Sequence, residues 1–139
     1  MREIVLDTNV LVAALRSKRG ASHELVRSIG QAHWRLNISV AVALEYEDVL
    51  KRKEMLRDLA ETDVDDFLDY VFKASNLIPF VLRRRPSLRD PNDERILEVA
   101  VQSRAMIITH NKKDFVGAEQ FGVVVKTPGE FLKMLRVGE

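Results

Sequence analysis

Apolar runs too short for anything but strands recur along this chain, and stretches with helical spacing lie between them. The runs are Glu3–Leu6, Trp34–Ile38, Leu77–Leu82, Ala105–Thr109 and Val123–Lys126. Between the second and third, Val64, Phe67, Leu68, Val71 and Phe72 recur at the spacing of an amphipathic helix. Short apolar strands alternating with helices predict an α/β fold, with a mainly parallel sheet covered on both faces.

Capping residues punctuate the helices. Thr8 or Asn9 is the expected N-cap of a helix over Asn9–Leu15. Ser22 is expected to cap a second helix that stops at Gly30. Ser39 is expected to cap one running to about Arg52, and Thr62 one running to about Ser75. Asn92 or Asp93 opens a helix to Ser103 after a loop over Pro86–Pro91. Thr127-Pro128 reads as an N-cap with proline in the first helical position, opening a helix through Met134. Pro79 implies that the third strand is short or lies at an edge.

A chain of 139 residues without repeats or linkers is expected to form one domain, residues 1–139. With 22 Lys plus Arg against 21 Asp plus Glu, the net charge of +1 excludes a global attraction to nucleic acid, so any such footprint is local. There is no cysteine, which excludes disulfides and thiolate metal sites and fits a reducing compartment. The opening MREIVLDTN is too short an apolar run for a signal peptide, and no stretch approaches a membrane span. A cytoplasmic location is the expectation.

Chemistry concentrates in four acidic islands: Asp7 in VLDTNV, Glu45 in VALEYEDVL, Asp90 and Asp93 in RDPNDERIL, and Asp114 in THNKKDF. Each adjoins an apolar stretch, where a carboxylate is costly unless it is paired or holds a cation. Asp7 stands at the carboxyl end of the first strand, the edge where open α/β sheets bind ligands. Asp93 shares a helical face with Leu97 and Ala100, which turns it inward while Glu94 and Glu98 are expected to point out. Glu45 shares a face with Val42 and Val49, and Glu47 turns to solvent. Carboxylates from separate segments that converge on one crevice suit Mg²⁺ or Mn²⁺, one or two ions. Phosphodiester hydrolysis is the reaction such equipment serves best.

The order of these motifs resembles a PIN domain, and in particular the toxin components of toxin–antitoxin pairs of the VapC type. The resemblance rests on D-T-N-V after strand one, a helical Glu at position 45, D-x-x-I/L opening a late helix, T-x-N-x-x-D-F after the next strand, and the closing VVVKTPGEFL. It spans essentially the whole chain. It implies a three-layer α/β/α sandwich with a five-stranded mainly parallel sheet, and an Mg²⁺- or Mn²⁺-dependent ribonuclease site. It also implies a protein antitoxin and a homodimer. Asp7, Glu45 and Asp93 match the three invariant acids. Thr109 matches the motif threonine, whose hydroxyl would orient Asp7. Many members carry Asp two residues after that threonine, where this chain has Asn111, so Asp114 is the candidate fourth acid. Asp90, Asn111 and Asn9 are additional candidates.

Arg83, Arg84, Arg85 and Arg89 run into the Asp90–Asp93 segment, Lys112 and Lys113 precede Asp114, and Arg16, Lys18 and Arg19 follow the first helix. Of these, Arg85, Arg89 and Lys112 are the candidate RNA phosphate contacts. His110 adjoins the site and could shuttle protons. Trp34 is expected in the core. Two other readings compete. A catalytically silent PIN-like module that binds RNA or protein is favoured by Asn111. A phosphotransferase with Asp7 as nucleophile would want a second Asp two residues on, where Asn9 stands.

Overall fold

The computed structural model describes residues 1–31, 33–79, 81–82 and 88–138. Five parallel strands are β1 Arg2–Leu6, β2 Trp34–Ile38, β3 Asn76–Leu77, β4 Met106–Ile108 and β5 Val125–Lys126, ordered β3-β2-β1-β4-β5. The helices are α1 Thr8–Arg16, α2 Ala21–Arg27, α3 Val40–Leu50, α4 Lys53–Leu56, α5 Glu61–Ala74, α6 Pro91–Ser103 and α7 Pro128–Arg136.

Side chains on opposite faces of β1, Val5 on one and Ile4 and Leu6 on the other, are all 0% exposed. The sheet is therefore covered on both sides, as the three-layer arrangement requires. α6 packs over β1, β2 and β4, while α2 packs on both α1 and α7. The strand order runs outward from β1 to β3, then reverses to β4 and β5. With the right-handed connections that parallel strands adopt, this reversal carries α6 to the face opposite the β1–β2 crossover. Trp34 is buried and meets Phe131 of α7 edge to face at 6.1 Å, which anchors the last helix to the layer below.

Ser39 caps α3 by accepting from the Val42 N–H at 3.1 Å. Thr127 and Glu130 form a complete capping box at α7, with Pro128 in the first turn. Other boundaries differ from the sequence expectation. α1 starts one residue early, with Asp7 as N-cap, because the strand runs straight into the helix. Gly20 and Ala60, not Ser22 and Thr62, precede α2 and α5. α3 ends at Leu50, and the short α4 follows after a turn. β3 is Asn76–Leu77 rather than Leu77–Leu82. The Ile78 N–H still donates to Ile38 at 2.8 Å, but Pro79 has no N–H to continue the ladder.

The largest correction concerns α6. Glu94 and Glu98, expected to face solvent, are 1% and 3% exposed. Leu88, ahead of the helix, donates its N–H to Glu94 Oε2 at 2.9 Å, and Arg95 pairs with Glu98 at 3.0 Å. Carboxylates buried in this way must find donors.

Candidate metal centre

The reversal of strand order falls between β1 and β4, and the crevice outside the carboxyl ends of such a pair is where open α/β sheets bind ligands. Asp7 follows β1 and Thr109 follows β4, so two residues far apart in sequence become neighbours. The Leu6↔Ile108 register aligns them, and the Asp7 N–H donates to the Ile108 carbonyl at 2.9 Å.

Thr109 is fully buried, and its hydroxyl is saturated. It accepts from the Asn111 N–H at 3.0 Å and from Asn9 Nδ2 at 3.4 Å. Two donors on one hydroxyl oxygen leave its single proton one destination, Asp7 Oδ2 at 2.8 Å. Asn9 Oδ1 in turn accepts from the His110 N–H at 3.2 Å. Both ends of the Asn9 amide are thus spent on clipping α1 to the turn after β4. His110 is exposed, and its Nε2 bonds to the buried Ser22 hydroxyl at 2.5 Å, which tethers the same turn to α2.

Around this pair stand the remaining acids. Glu45 is half-buried on α3, beside Tyr46, which is wholly buried and whose hydroxyl donates to the Leu6 carbonyl. Asp93 is half-buried in the first turn of α6. Asp90 is exposed, and its Oδ1 caps α6 by accepting from the Asn92 N–H at 2.8 Å. Asp114 is exposed on the 3-10 turn Lys112–Phe115, held by the buried Phe115, and Asn111 precedes that turn.

These carboxylates feel one another. Burial first, then the charges of Asp7, Asp90, Asp114 and Glu45, push the Asp93 carboxyl up to about 7. Burial raises Asp7 as well, opposed by the Thr109 hydrogen bond, with Asp114 and Asp90 adding to the rise. Glu45 is raised by burial, then by Asp48, with smaller contributions from Asp90 and Asp7. Three carboxyls, Asp7, Glu45 and Asp93, whose ionisation is disfavoured by burial and neighbouring charge, form a site that a cation would relieve. Among the described residues, no three His, Asp or Glu side chains are gathered closely enough to hold one ion as they stand.

An open groove of about 610 Å³ is lined by Asp90, Asp93 and Asp114 together with Leu88, Arg89, Lys113 and Val116. Lys112 points elsewhere and pairs with Glu130 of α7 at 3.0 Å. Arg83, Arg84 and Arg85 lie outside the described residues. The Thr109–Asn9 contact and the Tyr46 hydroxyl escaped the sequence reading. An aromatic beside a motif acid and an Asn two residues past Asp7 were the available signals.

The PIN domain family model matches residues 3–113. Among solved structures, VapBC2 from Rickettsia felis, bound to a DNA fragment from its promoter, aligns with a TM-score of 0.65 at 16% identity over 90% of this chain and 98% of its own. VapBC-1 from nontypeable Haemophilus influenzae aligns with a TM-score of 0.63 at 17% identity, over 91% and 98%. FitAcB from Neisseria gonorrhoeae aligns with a TM-score of 0.57 at 17% identity, over 90% and 97%. No curated protein matches in sequence. The strand order, the acids around the β1–β4 crevice and the match over most of its length together place this chain in the PIN domain family.

Proposed function

We propose that this protein is a divalent-metal-dependent endoribonuclease and the toxin of a toxin–antitoxin pair. The observation that carries the reading is the crowding of Asp7, Glu45 and Asp93 at the β1–β4 crevice, where each is raised by burial and by its acidic neighbours. The donor set is all oxygen, which suits Mg²⁺ or Mn²⁺, one or two ions. Membership of the PIN family supports a nuclease, and the likeness to VapBC assemblies supports a protein antitoxin as partner. A homodimer and a cytoplasmic setting belong to the same reading. No helix among the described residues is long and apolar enough to cross a membrane.

Asp7, Glu45 and Asp93 would hold the ion, with Asp114 as the fourth acid and Asn111 and Asp90 within the same neighbourhood. Bound there, Mg²⁺ or Mn²⁺ would supply a Lewis acid that lowers the pKa of a water and offsets charge developing on the phosphate. Thr109 favours the ionised form of Asp7 and orients it by donating to it. Arg89 and Lys113, which both line the groove, would position the RNA backbone without reading bases.

The test is cleavage of varied RNAs by the purified chain with Mg²⁺ or Mn²⁺, with and without chelator, against Asp7→Asn and Asp93→Asn. Cleavage that requires metal and is lost in both folded variants is expected. Asn111 brings no charge to a position where relatives of this pattern carry an acid, which favours a second reading in which the chain binds RNA or protein without cutting. Persistent absence of cleavage under both metals, with binding retained, would establish that second reading in place of the first.

A further inference from the structure

We infer that Tyr46 is a positioning residue for the metal centre, holding Glu45 of α3 at a fixed station relative to Asp7 of β1. This rests on the metal-dependent reading of the site.

Val42, Tyr46 and Leu50 form the buried stripe of α3, one residue every turn, and Glu45 sits on the shoulder of that stripe, half-buried. An apolar stripe fixes which face of a helix is covered but resists rotation about the helix axis only weakly, since side chains can slide over one another. A directional bond does resist it. The Tyr46 hydroxyl supplies that bond by donating to the carbonyl of Leu6, the last residue of β1 and the one before Asp7. Rotation or sliding of α3 that would carry Glu45 away from Asp7 must break this bond in a fully buried setting. Thr109 fixes Asp7 from the β4 side and Tyr46 fixes the strand end from the α3 side. The two motif acids on β1 and α3 are therefore braced through one peptide unit.

Tyr46→Phe keeps the ring and removes only the donor. The measurement is the Mn²⁺ affinity of metal-stripped wild type, Tyr46→Phe, Glu45→Gln and the double variant by titration calorimetry, with circular dichroism verifying each fold. Outer partners of metal ligands typically change affinity by ~10-fold or more, and Tyr46→Phe is expected to weaken Mn²⁺ by about that factor. It is expected to add no further loss in the Glu45→Gln background, because it acts through Glu45. At saturating Mn²⁺, kcat on RNA falls while KM is unchanged.

Wild-type affinity in Tyr46→Phe, with Glu45→Gln weakened, overturns the inference and leaves the proposed function standing. A Tyr46→Phe loss fully additive to that of Glu45→Gln also overturns it. A wild type that binds no Mn²⁺ removes the proposed function and this inference together. If Tyr46→Phe does not fold, replacement of Tyr46 by p-aminophenylalanine restores a donor at the same ring position. Wild-type Mn²⁺ affinity is then expected, and a tenfold loss overturns the inference.

Discussion

The Thr109 hydroxyl donates to Asp7 Oδ2 at 2.8 Å, joining residues 102 positions apart. Thr109→Val keeps the shape and removes the bond, leaving Asp7 with one donor fewer in a site where burial already raises its pKa. Loss of a buried partner costs about 1–3 kcal/mol. Chemical denaturation of Thr109→Val should show a loss of that size, with Mn²⁺ affinity reduced by ~10-fold. Thr109→Ser should restore both, and a Ser variant as defective as Val would assign the effect to packing.

The acidic cluster makes stability depend on pH in a direction opposite to that of ordinary surface carboxylates. Asp93 titrates at about 7 in the folded protein against an ordinary 3.8, pushed up by burial and then by Asp7, Asp90, Asp114 and Glu45. A raised folded value means that its contribution is fully present below 3.8 and is lost as pH rises through about 7. In chelator, the melting temperature of wild type relative to Asp93→Asn should fall across that window. Added Mn²⁺ should then stabilise wild type more at pH 8 than at pH 5. A pH-independent difference between the two chains would show that Asp93 is not crowded in solution.

Cations next to the groove should differ in their effect on RNA. Lys113 and Arg89 line it, whereas Lys112 is turned to Glu130. With metal replaced by chelator, Lys113→Ala and Arg89→Ala should each weaken RNA binding and lower the salt slope by about 0.7–1. Lys112→Ala should leave that slope unchanged. Identical behaviour of the three variants would mean that the groove is not the backbone track.

Away from the site, Asn37 is 1% exposed and joins three strands. Its Nδ2 donates to Glu3 Oε1 at 2.9 Å and to the Ile4 carbonyl at 3.2 Å, and its Oδ1 accepts from Asn76 Nδ2 at 2.8 Å. Asn37→Ala should cost about 1–3 kcal/mol in urea denaturation and speed amide exchange at Leu77 and Ile78. Metal affinity should be unchanged, because none of its partners is a candidate metal ligand.

Much of the frame was legible because strand residues and caps act locally. Trp34–Ile38, Ser39 and Thr127-Pro128 identify themselves through apolar runs and side chains that bond within one turn. The burial of Glu94 and Glu98 was not legible from helical spacing. Spacing separates two faces of a helix but does not report a residue outside the helix, such as Leu88, bonding to the polar one. Asp90 looked like a spare acid and is a cap, because Pro91 begins the helix two residues earlier than Asp93 suggests. The bonds from Asn9 and Tyr46 depend on register between distant strands and helices, and no window of neighbouring residues contains them.

The central position of β1 in the sheet has a consequence for synthesis. β1 can pair with β2 as soon as β2 is made, but its other edge stays bare until β4 follows. A nascent chain halted before residue 106 carries Asp7, Glu45 and Asp93, yet lacks the strand that brings Thr109 to Asp7. A chain cut short before β4 therefore lacks the brace on Asp7 and leaves one edge of β1 open.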